Sequence, residues 1–161
     1  MILSWTRLWK FAIENKTVLI TGASSGFGKF TALELIKKGY TVYGAARRVE
    51  QMNDLAEAGG HALKMDVTNR ESVEEGVQQI IKEQGSIDVL INNAGFATYN
   101  LIETTPVESV KNLFEVNVWG AVNVIQAVLP YMRKNRQGRI INTSSVVGKI
   151  SSAVGGWYAA S

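Results

Sequence analysis

The sequence predicts a doubly wound parallel α/β sheet. Three observations carry that prediction. Short apolar or β-prone runs alternate with helical stretches from residue 16 to residue 143, the pattern of successive βαβ units joined by right-handed crossovers. The apolar run at 87–91 suits the middle of a parallel sheet, where helices cover both faces. The first apolar run, ending at Thr21, passes directly into a glycine-rich turn that opens a helical pattern.

The elements follow in order. Residues 16–21 form the first strand, and 26–38 form a helix on the spacing of Phe27, Phe30, Leu33 and Ile36. Lys37, Lys38 and Gly39 mark its end. Residues 40–46 are the second strand. A short helix over 50–58 stops at Gly59 and Gly60, and 61–65 is the third strand. Val73, Val77, Ile80 and Ile81 share one side of a polar helix over 70–84. The fourth strand is 87–91. A helical stretch opened by Thr105 and Pro106 runs to about residue 135, divided at Gly120, with Val110, Phe114, Asn117, Ala121, Ile125, Val128 and Met132 on one face. Residues 140–143 are the fifth strand.

Composition narrows the function. With 46% hydrophobic and 19% charged residues, the chain reads as a globular domain with its own core. It has no cysteine, which excludes disulfides and thiolate chemistry and fits a reducing, cytoplasmic setting. The net charge of +3 is small and the cations are scattered, so no basic stripe tracks a nucleic-acid backbone. Residues 1–15 carry Ile2, Leu3, Trp5, Leu8, Trp9, Ala12 and Ile13 at roughly helical spacing. They read as a leader, a helix packed on the domain or a disordered segment, and the charges interrupt any signal-peptide core; the alternative, an amphipathic helix touching a membrane surface or a partner, is disfavoured because the segment is short and weakly amphipathic.

In such sheets ligands bind beyond the carboxyl ends of the strands, so those ends are where chemistry is expected. After the first strand comes Gly22-Ala23-Ser24-Ser25-Gly26-Phe27-Gly28. Gly22 permits a tight turn with positive φ, Gly26 allows a pyrophosphate close to the backbone, and Gly28 lets helix and strand pack closely. The new helix offers free N–H groups to an anion, and Ser24 and Ser25 add hydroxyls. After the second strand, Arg47 and Arg48 stand where a carboxylate would read the ribose of NAD; Arg47 suits the extra phosphate of NADP. Asp66, followed by Val67, has two readings: acceptor for an adenine amino group, or cap of the helix starting near Asn69. Asn92-Asn93-Ala94-Gly95 combines small residues with amides that can pin neighbouring strand ends. Asn117, a polar amide on an apolar stripe, holds a helix irregularity or a water, or supports a site. Ser144 and Ser145 end the fifth strand, and Tyr158 follows thirteen residues after Ser145. A loop of that length can bring a hydroxyl and a phenol to one point, as carbonyl reduction requires. Phe96, Tyr99, Val147 and Trp157 are candidates for the near wall of a partly apolar pocket.

Taken together these residues resemble the short-chain dehydrogenase/reductase family, over nearly all of 16–161. The resemblance implies a Rossmann-like doubly wound sheet truncated after strand five. It implies an NADP(H)-dependent oxidoreductase, NADPH favoured over NADH, acting on a small-molecule alcohol or carbonyl. Tyr158 would be the acid/base, Ser145 would orient the substrate oxygen, and Asn117 would support a relay water. Gly22, Ala23, Ser24, Ser25, Gly26, Phe27, Gly28, Arg47, Asp66, Val67, Asn93, Ala94, Gly95 and Tyr158 would contact the cofactor; no metal is implied. Homo-oligomers built on helices like 106–135 are common in the family. One departure stands out: the family's Y-x-x-x-K motif needs a lysine at position 162, past Tyr158-Ala159-Ala160-Ser161. The expectation is therefore a piece of a longer family member, inactive by itself, with strand five short of neighbours and an apolar face exposed. The alternative is a naturally short, non-catalytic dinucleotide-binding or interaction module.

Overall fold

A computed structural model describes residues 16–150 and 153–161. The expected leader over 1–15 lies outside the described residues. Five strands, β1 (Thr17–Thr21), β2 (Thr41–Ala46), β3 (His61–Lys64), β4 (Val89–Asn92) and β5 (Arg139–Asn142), form one sheet. Every pairing is parallel and the order is β3-β2-β1-β4-β5. The expected Rossmann-like doubly wound sheet is what forms. Strand order reverses between β1 and β4, which opens a crevice at their carboxyl ends.

Alternation along each strand builds a core on either side of the sheet. Val18 and Ile20 of β1 and Val42 of β2 pack against α1 (Gly26–Lys37) and α2 (Asn53–Glu57), through Ala32 and Leu55. Leu19, Tyr43 and Leu90 face the other way. They meet Val73, Val77 and Ile80 of α3 (Arg70–Gln84), together with Val124, Val128 and Met132 of the long helix described next. Boundaries move by a residue or two from those expected; the short helix after β2 begins as a 3-10 turn over Val49–Met52.

The long helical stretch contains the main departure. It runs as α4 (Val107–Phe114), a π-turn (Glu115–Trp119) and α5 (Gly120–Lys134) without a break. Gly120 does not divide it. The extra residue in the π-turn rotates α5, so Gly120, Val124, Val128 and Met132 are buried. Ala121 and Ile125, expected on the same apolar face as Val128 and Met132, line the crevice, Ile125 while still packing against the core. Gly120 serves close packing: a Cβ there would stand 2.7 Å from Val67 Cγ2. The stretch Val107–Lys134 is long and apolar enough by length and composition to cross a membrane, but α5 packs on the sheet core. Its outer side exposes Val107 and Trp119. The outer strand β5 exposes Ile141.

Tyr43 gives the fold a pH dependence. Its buried ring stacks on His61, centroids 4.4 Å apart. Its hydroxyl donates to Glu83 Oε2 at 2.6 Å and accepts from Gln84 Nε2 at 3.0 Å. Burial, helped by the Glu83 carboxylate, pushes the phenol from 10.0 up to about 12. Between pH 10 and 12 the unfolded chain ionises this group while the folded chain keeps it neutral. Stability fully present below pH 10 therefore falls as pH rises through this window, by up to about 1.4 kcal/mol per pH unit. Tyr43→Phe should flatten that decline, which urea unfolding at pH 9, 10 and 11 would read. An unchanged slope would assign the loss to other groups.

Candidate cofactor and catalytic site

Thr21 organises the crevice. Fully buried at the end of β1, its Oγ1 accepts from two successive backbone N–H groups, Asn93 and Ala94, both at 3.0 Å. Asn93 answers with its carboxamide: Nδ2 donates to the carbonyls of Thr21 (3.2 Å) and Gly22 (3.4 Å). The turns after β1 and β4 are thereby clamped together across the switch point. The clamp leaves no room for side chains. Gly22 has φ +69°, and a Cβ on it would lie 2.8 Å from Ala94 Cα. A Cβ on Gly28 would overlap Asn93 Nδ2 and lie 2.5 Å from the Gly22 carbonyl oxygen. Gly26, by contrast, has φ +56° and faces open space, with nothing within 4 Å of where a Cβ would stand.

The crevice has a volume of about 950 Å³. Gly22, Ser24, Ser25, Gly26 and Phe27 form one wall, and Arg47, Asp66 and Val67 extend it past β2 and β3. Asn93, Ala94 and Gly95 form the floor beside Asn117; Ser145 and Tyr158 close the far end. Ala23 and Gly28 are the two expected contact residues that do not line it. The Ala23 side chain is buried in the core beneath the turn, and Gly28 sits against the clamp. An elongated anion fits this cradle: the N-terminus of α1 has no side-chain cap, which leaves first-turn N–H groups for an anion, and Ser24, Ser25, Gly26 and Phe27 at that end line the crevice. Arg47 is exposed at the rim, free of the ion pairs found among the described residues. Among the described residues no group of three or more His, Asp or Glu is placed to hold a metal.

Asp66 does not cap a helix. That role falls to Asn69, whose Oδ1 accepts from Ser72 N at 3.0 Å. Asp66 Oδ1 accepts from the backbone N–H and hydroxyl of Thr68, which aims the carboxylate along the crevice wall. Asn117 lies in the middle of the π-turn. Its Oδ1 accepts from Phe96 N and its Nδ2 donates to Phe96 O, both at 3.0 Å. A second Nδ2 hydrogen goes to Ser161 Oγ at 2.9 Å. Ser145 caps the 3-10 turn Val146–Gly148, its Oγ accepting from Val147 N at 3.4 Å. Tyr158 lies on α6 (Gly156–Ala160), where Tyr99 packs edge-on against its ring at 6.1 Å between centroids. Phe96 lines the crevice as expected; Tyr99, Val147 and Trp157 do not.

A family profile described as short chain dehydrogenase matches residues 16–161. The chain belongs to the short-chain dehydrogenase family. It is 46% identical over 149 residues to a 3-ketodihydrosphingosine reductase of Bacteroides thetaiotaomicron, covering 92% of this chain and 54% of that one. It is 39% identical over 155 residues to an NADPH-dependent pterin aldehyde reductase of Arabidopsis thaliana, covering 92% and 62%. Among solved structures, a short-chain dehydrogenase from Streptomyces avermitilis superposes with a TM-score of 0.87 at 37% identity, covering 91% of this chain and 55% of that one. An actinorhodin polyketide ketoreductase solved with NADPH gives 0.85 at 30% identity, covering 91% and 59%. This short-chain dehydrogenase chain thus spans a little over half the length of relatives it matches.

Sequence reading missed the clamp that Thr21 makes and the contact that Ser161 makes. Thr21 reads as an ordinary β-branched strand residue; the one available signal is a hydroxyl ending an otherwise apolar strand before a glycine turn. Ser161 carries no signal in the sequence, because its partner Asn117 is 44 positions away.

Proposed function

We propose that this chain is the cofactor-binding and catalytic-tyrosine portion of an NADP(H)-dependent oxidoreductase acting on an alcohol or carbonyl. The observation that carries the reading is a single crevice lined by the glycine turn, Arg47, Asn117, Ser145 and Tyr158. The names of its relatives, which are reductases, favour an enzyme over a non-catalytic binding module.

The bound dinucleotide would supply a hydride donor or acceptor. The chain's own residues do the rest. The α1 N-terminus, Ser24 and Ser25 hold the pyrophosphate, with Gly26 offering unobstructed backbone. Arg47 forks onto the adenosine phosphate that distinguishes NADP, and Asp66 takes the adenine amino group with its free carboxylate oxygen. Ser145 donates its hydroxyl hydrogen to the substrate oxygen; in reduction the Tyr158 hydroxyl delivers its proton to that oxygen and becomes a phenolate, and in oxidation the Tyr158 phenolate takes the proton back. Asn117 supports the proton relay by position. Both hydrogens of its carboxamide are already engaged, so a relay water meets the remaining Oδ1 lone pair or the backbone.

The substrate reading is a carbonyl with an apolar arm. Tyr99, which packs on the Tyr158 ring, and Ile102, beside Gly156, are exposed apolar residues next to the tyrosine helix, and Val146 and Ile150, exposed as well, follow Ser145 in the chain. Burying such an arm would remove them from water. A ketone on an aliphatic chain, the kind named for the Bacteroides relative, fits this mouth. The unpacked outer side of the 107–134 helix, with Val107 and Trp119 exposed, supports a homo-oligomer, and the absence of cysteine agrees with a cytoplasmic setting.

NADPH titration followed by quenching of tryptophan fluorescence tests the reading, with turnover on a panel of aliphatic ketones in the longer protein. Saturable quenching by NADPH is expected, and a folded chain that shows none would overturn it. Arg47→Asp should weaken NADPH by roughly tenfold or more, the worth of one charge-assisted hydrogen-bonded contact, and leave NADH little changed. Equal losses for both would remove Arg47 from the phosphate site.

A further inference from the structure

Tyr158 lies on α6, whose N-cap residue Gly155 offers no side-chain cap. Apolar contact with Ile102 and the Tyr99 edge restrain one side. Among the described residues, the one side-chain hydrogen bond that ties this helix to the rest of the protein comes through Ser161.

The polarity of that bond is fixed. Ser161 Oγ lies 3.0 Å from the Tyr158 carbonyl oxygen and 2.9 Å from Asn117 Nδ2. A carbonyl only accepts and an amide nitrogen only donates, so the single hydroxyl hydrogen goes to Tyr158 O while the oxygen accepts from Asn117. The Ser161 backbone N–H also reaches the carbonyls of Trp157 and Tyr158, at 3.1 and 3.2 Å. Asn117 in turn holds Phe96, at the end of the Asn93-Ala94-Gly95 floor, through both of its polar atoms. One carboxamide and one hydroxyl therefore join the crevice floor, the π-turn and the tyrosine helix.

We propose that Ser161 is a positioning residue: its hydroxyl, bridging the Asn117 carboxamide and the Tyr158 carbonyl, sets where the Tyr158 phenol stands. The functional meaning rests on Tyr158 being the acid/base, but the bridge itself does not. The side chain required is one that donates and accepts at once from a short stem. Threonine satisfies this and alanine does not.

The test uses the 161-residue chain with Ser161→Ala and Ser161→Thr, labelled for NMR. In Ser161→Ala, solvent exchange of the Asn117 side-chain amide hydrogens should rise by roughly tenfold, the effect of losing one net hydrogen bond. The Tyr158 ring resonances should move as its orientation to the Tyr99 ring changes. Ser161→Thr should restore both, and amide resonances of β1, β2 and β4 should stay in place in all three proteins. Asn117 and Tyr158 signals unmoved in Ser161→Ala, or moved equally in Ser161→Thr, would overturn the proposal. NADPH quenching is scored separately on the same samples. Failure of all three proteins to bind NADPH would count against the oxidoreductase reading while leaving the bridge judged by its own signals.

Discussion

Thr21→Val should destabilise the chain by about 2–5 kcal/mol and abolish saturable NADPH quenching. The two side chains have nearly the same shape, so the substitution removes little packing. It removes an acceptor that serves two backbone donors, the N–H groups of Asn93 and Ala94. Each donor left without a partner in this half-buried place costs about 1–3 kcal/mol, and nothing in a valine side chain can replace the oxygen. The loss falls on the segment that forms the crevice floor. Asn93 and Ala94 are then free to move away from Gly22, and the narrow gap between the two turns opens. Urea unfolding would read the stability, and tryptophan quenching below the denaturation transition would read the site. A Thr21→Val chain within about 0.5 kcal/mol of the original would show that water or a backbone shift satisfies those N–H groups. Thr21→Ser, which keeps the oxygen, should retain most of the quenching.

Gly28→Ala should be destabilising although it adds alanine to a helix. In an exposed helix interior this substitution is favourable by about 1 kcal/mol. Here the added methyl would overlap Asn93 Nδ2 and stand 2.5 Å from the Gly22 carbonyl oxygen. The second neighbour is backbone and cannot swing aside. The first is a side chain held by hydrogen bonds to the Thr21 and Gly22 carbonyls, so displacing it gives those up. Overpacking of this kind costs about 1–3 kcal/mol, and the broken amide contacts add about 1 kcal/mol more. The expected balance is a net loss of roughly 1–3 kcal/mol, with weakened NADPH binding, because α1 must retreat from the turn it helps to form. Thermal unfolding of Gly28→Ala beside an exposed helix control such as Ser109→Ala on α4 would separate the two signs. A stabilised Gly28→Ala chain would mean that the close contact relaxes without cost.

Gly28 also shows where sequence and structure divide. Its role as a close-packing residue is legible from the strand–turn–helix context, as is the positive φ of Gly22. What lies on the other side of the contact is not legible. The neighbour is Asn93, separated from Gly28 by three strands' worth of chain and placed there by the parallel pairing of β1 with β4. Asn117 divides in the same way. A polar amide on an apolar stripe signals that something unusual occurs there, and a helix irregularity is what forms. Its bonds to Phe96 and Ser161 have no mark in the sequence, because hydrogen-bond partners 21 and 44 positions apart leave no periodic trace. The placement of Ala121 and Ile125 departs from the periodic pattern for a related reason. Helical periodicity assumes 3.6 residues per turn, and the π-turn breaks the count.

The sequence by itself determined the alternation of strands and helices, the parallel sheet, the glycine turn and the set of strand-end residues that can meet a ligand. These follow from local rules: side-chain period, glycine at a turn, and the short reach between a strand and its next helix. Tertiary structure alone decided the clamp between Thr21 and Asn93, the rotation of α5 that turns Ala121 and Ile125 toward the crevice, the passing of the helix cap from Asp66 to Asn69, and the tie from Ser161 to Asn117. The physical reason is that each is an exchange of hydrogen bonds or volume between segments distant in the chain or competing for one helix end, and the outcome depends on where the sheet brings them.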